Sequence, residues 1–115
     1  MNWSHESELP LLACFGVEPK APDPRTPWFY NTAVYEVEVD AVSVSFTIEP
    51  AYGNVRLVVR RAGRRLFQFD AKMVADLRVI DEPGVDAVEI DMTAGSWLRM
   101  QLRPTFEITQ GFDRR

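Results

Sequence analysis

Four arginines fall within six residues, Arg60, Arg61, Arg64 and Arg65, flanking Ala62-Gly63. A glycine-containing turn between two basic pairs folds the guanidinium groups back toward one another. Planar cationic forks at that density suit carboxylate or phosphate groups. Arg61-Ala62-Gly63 reads as a three-residue hairpin loop with glycine in the left-handed position, which sets Arg60 opposite Arg64. Like charges facing each other across two strands repel by roughly a few tenths of a kcal/mol. An acidic partner surface, phosphate groups or the acidic half of a second copy would offset that repulsion; solubility protection of a hairpin end is the competing explanation.

A second group with interface chemistry is Trp97, Arg99, Gln101 and Arg103, alternating with Leu98, Met100 and Leu102. Tryptophan and arginine on a non-core face are the residue types that anchor protein interfaces, and an indole also stacks on sugars or bases. Coverage of Trp97 by the N-terminal segment or by Trp28-Phe29-Tyr30 is the structural alternative. Partner-binding residues are therefore sought among Trp97, Arg99, Arg103, Arg60, Arg61, Arg64 and Arg65.

Catalytic chemistry finds little support. The single histidine, His5, has no partners at ligand or triad spacing. Cys14 sits among Leu11, Leu12, Ala13 and Phe15, with no basic neighbour to lower its pKa. Glu36, Glu38 and Asp40, and likewise Asp86, Glu89 and Asp91, alternate with apolar residues and belong to solvated faces. The acidic loop Asp81-Glu82-Pro83-Gly84-Val85-Asp86 lacks EF-hand spacing, and Pro-Gly turns attract acids without a metal. No catalytic, cofactor or metal residue is assigned.

The elements that position these groups are strands. Val42, Val44, Phe46 and Ile48 share one face, with Ser43, Ser45, Thr47 and Glu49 opposite. Before them, Tyr35, Val37 and Val39 oppose Glu36, Glu38 and Asp40. The phase slips by one at Ala41, which requires either a turn or a bulge, and Asp40-Ala41 lacks the glycine that two-residue hairpins favour. A loop over residues 50–54 leads into Val55, Leu57 and Val59. The three-residue hairpin then places Leu57 opposite Phe67, Val55 opposite Phe69 and Arg56 opposite Gln68. Thr93-Ala94-Gly95 repeats that loop chemistry and sets Ile90 opposite Leu98, Val88 opposite Met100 and Glu89 opposite Arg99. Strands over residues 74–81 and 105–109 complete the set, and residues 70–75 read as a bent strand or a helical turn.

Seven to eight short strands at this spacing predict one all-β domain, an antiparallel sandwich or a rolled sheet or barrel. Five of the eight prolines lie in residues 1–31, which excludes a central strand from Pro19 to Pro27. Residues 1–31 thus form an N-terminal arm. A short helical turn through Leu9, Leu11, Leu12 and Phe15, capped by Ser7 and stopped by Gly16, packs on the β-domain of residues 32–115.

Composition narrows the partner. The 115-residue chain carries 17 acids against 13 bases, a net charge of −4, which disfavours nucleic acid and anionic membranes as general targets. Through Val55 there are eight acids and two bases; from Arg56 onward, eleven bases and nine acids. One cysteine excludes an internal disulfide, and no apolar run approaches the roughly 20 residues that span a bilayer. A cytoplasmic location is the expectation.

Strand layout and size resemble those of small all-β bacterial proteins, among them immunity proteins that neutralise partner toxins. The resemblance implies a non-enzymatic interaction domain that binds another protein or a second copy of itself, and the Glu36, Glu38, Asp40 face would suit a basic toxin. The alternative function is a small-ligand or carbohydrate-binding sandwich that stacks its ligand on Trp28, Tyr30, Tyr52 or Trp97.

Overall fold

The computed structural model describes residues 8–112 apart from Pro22, Pro24 and Asp81; His5 and the Ser7 cap lie outside the described residues. Eight strands form two four-stranded antiparallel sheets. The first sheet is a meander of β1 (Ala33–Val39), β2 (Val42–Glu49), β3 (Asn54–Arg61) and β4 (Arg64–Ala71). The second is a meander of β5 (Asp76–Val79), β6 (Asp86–Asp91), β7 (Ser96–Arg103) and β8 (Glu107–Phe112). The all-β antiparallel fold expected from the strand period is thus present. Both sheets turn their apolar sets into one cluster that includes Tyr35, Phe46, Ile48 and Leu57 from the first and Val88, Ile90, Leu98 and Met100 from the second.

The phase slip at Ala41 is a turn. Val39 pairs with Val42, so Asp40 and Ala41 alone make the loop, with φ of 47° and 64°. Positive φ at both central residues is the primed turn whose twist matches the strands. No glycine supplies it here; the Asp40 carboxylate accepts the Phe106 backbone N–H at 2.6 Å and ties this tip to the second sheet.

The β3–β4 register differs from the one the sequence suggests. Ala62 and Gly63 form a two-residue loop with φ of 50° and 77°, so Arg61 pairs with Arg64 and Arg60 with Arg65. Arg60 does not face Arg64. A bulge then inserts Leu66, after which Val59 pairs with Phe67, Leu57 with Phe69, Arg56 with Asp70 and Val55 with Ala71. The shorter turn and the extra residue together move the register by two. A displacement of two keeps every side chain on its own face, which is why the apolar matching looked satisfactory in the wrong register. The β6–β7 hairpin matches expectation pair for pair: Ile90 with Leu98, Val88 with Met100, Glu89 with Arg99.

Residues 70–75 contain no helix. β4 runs to Ala71, and the chain passes to the second sheet through Val74 N–H to the Gly53 carbonyl and Ala75 N–H to the Asp91 carbonyl, both 2.8 Å. β5 is correspondingly shorter than expected, and β8 is longer at its C-terminal end.

The N-terminal element is a helix, α1 (Glu8–Phe15). Pro10 is tolerated because the first turn's N–H groups lack intrahelical acceptors anyway. Gly16, at φ 72°, stops the helix with its N–H on the Leu12 carbonyl at 2.8 Å. Eight residues do not hold a helix in water; burial does. Leu11, Cys14 and Phe15 project from one face, each at most 2% exposed, and α1 touches β1 of one sheet and β5 and β6 of the other. The Phe15 ring stacks on Tyr35 at 4.8 Å and on Phe46 at 5.3 Å.

Candidate functional site

The interface residues expected from the sequence fall into two separate places. Arg60, Arg61, Arg64 and Arg65 gather at the β3–β4 tip on the first sheet, all exposed. Trp97 and Arg99 lie on the outer face of the second sheet, half-buried. Arg103 lies near the end of the same strand, about 20 Å from Trp97 at the usual strand rise.

Arg103 is half-buried and its contacts are within the chain. Its Nη2 donates to the Phe15 carbonyl at 3.2 Å, and its Nε lies 3.4 Å from Asp86 Oδ2. It closes the C-terminal end of α1, where the aligned peptide dipoles favour a cation. Trp97 lies against its own sheet: a Cβ on its cross-strand partner Gly111 would fall 2.7 Å from the indole ring. Glycine at 111 lets the ring lie flat on the neighbouring backbone, a pairing that shields an otherwise bare edge strand.

Arg99 stands between Glu89 and Thr109 in a cross-strand row and lies 3.9 Å from Glu82. β5, on the other side of β6, contributes Arg78. Its guanidinium reaches Asp91 at 2.6 Å, Asp76 at 2.8 Å and Glu89 at 3.3 Å. Hydrogen bonds donated to Asp91, then to Asp76 and Glu89, drive the Arg78 pKa still higher against the opposing effect of burial. The acids that alternate along β6 are therefore neutralised from two flanking strands. Register alone brings them together, since Arg78 pairs with Glu89 and Asp76 with Asp91.

The acidic residues of β1 and its turn are partly committed as well. Glu36 binds Lys20 Nζ at 2.6 Å, where Lys20 and Val34 exchange two backbone hydrogen bonds along the β1 edge. Asp40 holds Phe106. In the 82–86 loop, Glu82 and Asp86 each face a β7 arginine. Among the described residues no group of three metal-ligating side chains converges; Asp81 lies outside them.

Cys14 borders a recess of about 500 Å³ between α1 and the β5–β6 loop. Burial first, and then nearby Asp86, push its thiol up to about 12. Burial likewise raises the Tyr35 phenol to about 12, against the hydrogen bond donated by Trp28 Nε1 at 3.0 Å. Both groups ionise more readily in the unfolded chain, so their contribution to stability is complete below about pH 9 and declines as pH rises toward 12. A thiol reagent at pH 8 is expected to label native Cys14 slowly and the urea-unfolded chain stoichiometrically. Equal labelling rates in the two states would show an accessible thiolate.

Among the stacking aromatics, Trp28 is tied to Tyr35 and Trp97 to Gly111, whereas Tyr30 and Tyr52 are exposed. The Ala51 N–H donates to the Phe29 carbonyl, and Val74 N–H to Gly53, so exposed Tyr30, Tyr52 and Met73 stand on loops bonded to one another. Sequence spacing gave no sign of that grouping, because three distant loops form it.

No family model matches the chain, and no curated protein matches it. Among solved structures it is similar to a chain of a contact-dependent growth inhibition toxin–immunity protein complex from Klebsiella pneumoniae 342, at a TM-score of 0.75 and 17% identity. The likeness covers 90% of this chain and 91% of the other, so the whole two-sheet architecture is shared.

Proposed function

We propose that this chain is a non-enzymatic, immunity-type domain that binds and neutralises a partner protein in the cytoplasm. The observation that carries the reading is fold likeness over nearly the full length to a chain from a toxin–immunity complex. An inhibitor of this kind requires a rigid surface rather than reactive groups. That requirement fits a chain whose lone thiol is buried and whose β6 acids are held by arginine. Two meandering sheets around one core supply the rigidity, with hairpin tips and outer faces left for contact.

A toxin and its inhibitor must be inherited together, so the candidate partner is the product of the adjacent gene. That product alone is expected to arrest growth. Co-expression of this chain is expected to restore it, and the two purified proteins should elute as one complex. Arrest that persists with no complex formed would overturn the proposal.

A further inference from the structure

The charged side chains of the strands divide sharply into paired and unpaired. Arg56 faces Asp70 at 3.5 Å, Arg78 meets three carboxylates, Arg99 faces Glu82 and Arg103 faces Asp86. At the β3–β4 tip the pattern stops. Among the described residues no carboxylate comes within ion-pair distance of Arg60, Arg61, Arg64 or Arg65, although the chain as a whole is acidic. Register makes matters worse, since Arg61 faces Arg64 and Arg60 faces Arg65. In the same cross-strand row, Glu38 pairs with Ser43 and Ser43 with Arg60, which puts the Glu38 backbone two strands from that of Arg60, about 10 Å.

The tip is also built to stay in place. Its two-residue turn has the twist of the strands. Arg65 donates to Gln68 at 2.8 Å, and Gln68 donates to Asp70 at 2.7 Å, a chain of hydrogen bonds along the edge strand. Beside the arginines the bulge turns Leu66 outward, 60% exposed. Arginine is among the residue types enriched at interface hot spots, and the neighbouring exposed leucine adds apolar surface to the same tip.

From these observations we infer that the β3–β4 tip, with Arg60, Arg61, Arg64, Arg65 and Leu66, docks on an acidic patch of the partner protein. This rests on the protein-binding function proposed above and names the surface and the chemistry it recognises. A partner carboxylate cluster would relieve the Arg–Arg repulsion and accept the planar forks in bidentate fashion. A net charge of −4 repels an extended polyanion along its length, whereas a compact acidic patch meets the tip alone. Charge of this kind acts first on the association rate, which falls as salt screens it.

The test is binding of the toxin domain encoded beside this gene to the intact chain, to R61E/R64E, to L66A and to K72E. Lys72 is exposed just beyond the far end of β4 and serves as the control. R61E/R64E is expected to melt at the wild-type temperature and to bind about 100-fold more weakly, with most of the loss in association rate. L66A is expected to lose about 10-fold and K72E less than about 3-fold. Wild-type binding should weaken from about 50 to 500 mM salt, and the salt dependence should flatten in R61E/R64E.

Binding by R61E/R64E at wild-type strength would overturn the tip assignment while leaving the immunity reading standing. Failure of the wild-type chain to bind the toxin at all would sink the immunity reading and the tip assignment with it. Two other outcomes overturn the tip assignment in favour of a different occupant. One is preferential binding of a single-stranded RNA that R61E/R64E loses; the other is a wild-type homodimer that R61E/R64E dissociates.

Discussion

Phe15→Ala is expected to lower stability by about 3–5 kcal/mol, the range for removing a fully buried aromatic ring, and to release helix α1 from the sheets. Phe15 is 0% exposed and stacks on both Tyr35 and Phe46, so its loss opens a cavity bounded by a helix and the first sheet. Helix α1 has no independent stability at eight residues. Removing its C-terminal anchor leaves Leu11 and Cys14 to hold it, and the Arg103 bond to the Phe15 carbonyl loses its fixed acceptor. Urea unfolding would measure the cost, and limited proteolysis within residues 8–15 would report the release. Leu9→Ala is the control, since Leu9 is 74% exposed; it should stay within about 0.5 kcal/mol. A Phe15→Ala cost below about 1 kcal/mol would mean that the helix is peripheral to the core.

Arg78→Met is expected to cost about 2–3 kcal/mol, a value reduced from that of a fully buried ion pair because the Arg78 side chain is 40% exposed. The cost arises from what is left behind. Asp76, Glu89 and Asp91 are only 19%, 12% and 25% exposed, and without the guanidinium three negative charges crowd one patch of the second sheet. Salt screens that repulsion, so the stability gap between Arg78→Met and the wild type should narrow as ionic strength rises. Arg56→Met offers the comparison: its pair with Asp70 is more than half exposed on both sides, so the change should be within about 0.5 kcal/mol. Denaturant midpoints at low and high salt would read all three chains. A salt-independent gap for Arg78→Met would show that lost packing of the arginine stem, not charge, accounts for the cost.

The two substitutions lie on opposite sides of the line between local and tertiary information. Phe15 was legible as an apolar residue on a short helical stretch ending at Gly16, because hydrophobic spacing and a left-handed glycine are properties of neighbouring residues. Its ring partners were not, for they lie on strands 20 and 31 residues further along the chain. Arg78 falls within the strand read over residues 74–81, and nothing in its neighbours marks its partners. Its acids stand two, eleven and thirteen residues away, joined by pairing with β6.

By itself the sequence determined the strand faces, the antiparallel all-β class and the β6–β7 register, where loop chemistry and apolar pairing pointed to one answer. It also determined that Arg60, Arg61, Arg64 and Arg65 share one tip, since a tight turn among them allows nothing else. Alternation has a period of two and cannot distinguish registers that differ by two, so the β3–β4 pairing waited on the Leu66 bulge. Tertiary structure alone decided which charges are spent. Arg103 reaches Phe15 across 88 residues, and Asp40 reaches Phe106 across 66. The β6 acids meet Arg78, and the tip arginines meet no carboxylate among the described residues. Charge at a sequence position is local; neutralisation depends on which strands become neighbours, and packing of the two sheets around a shared core settles that.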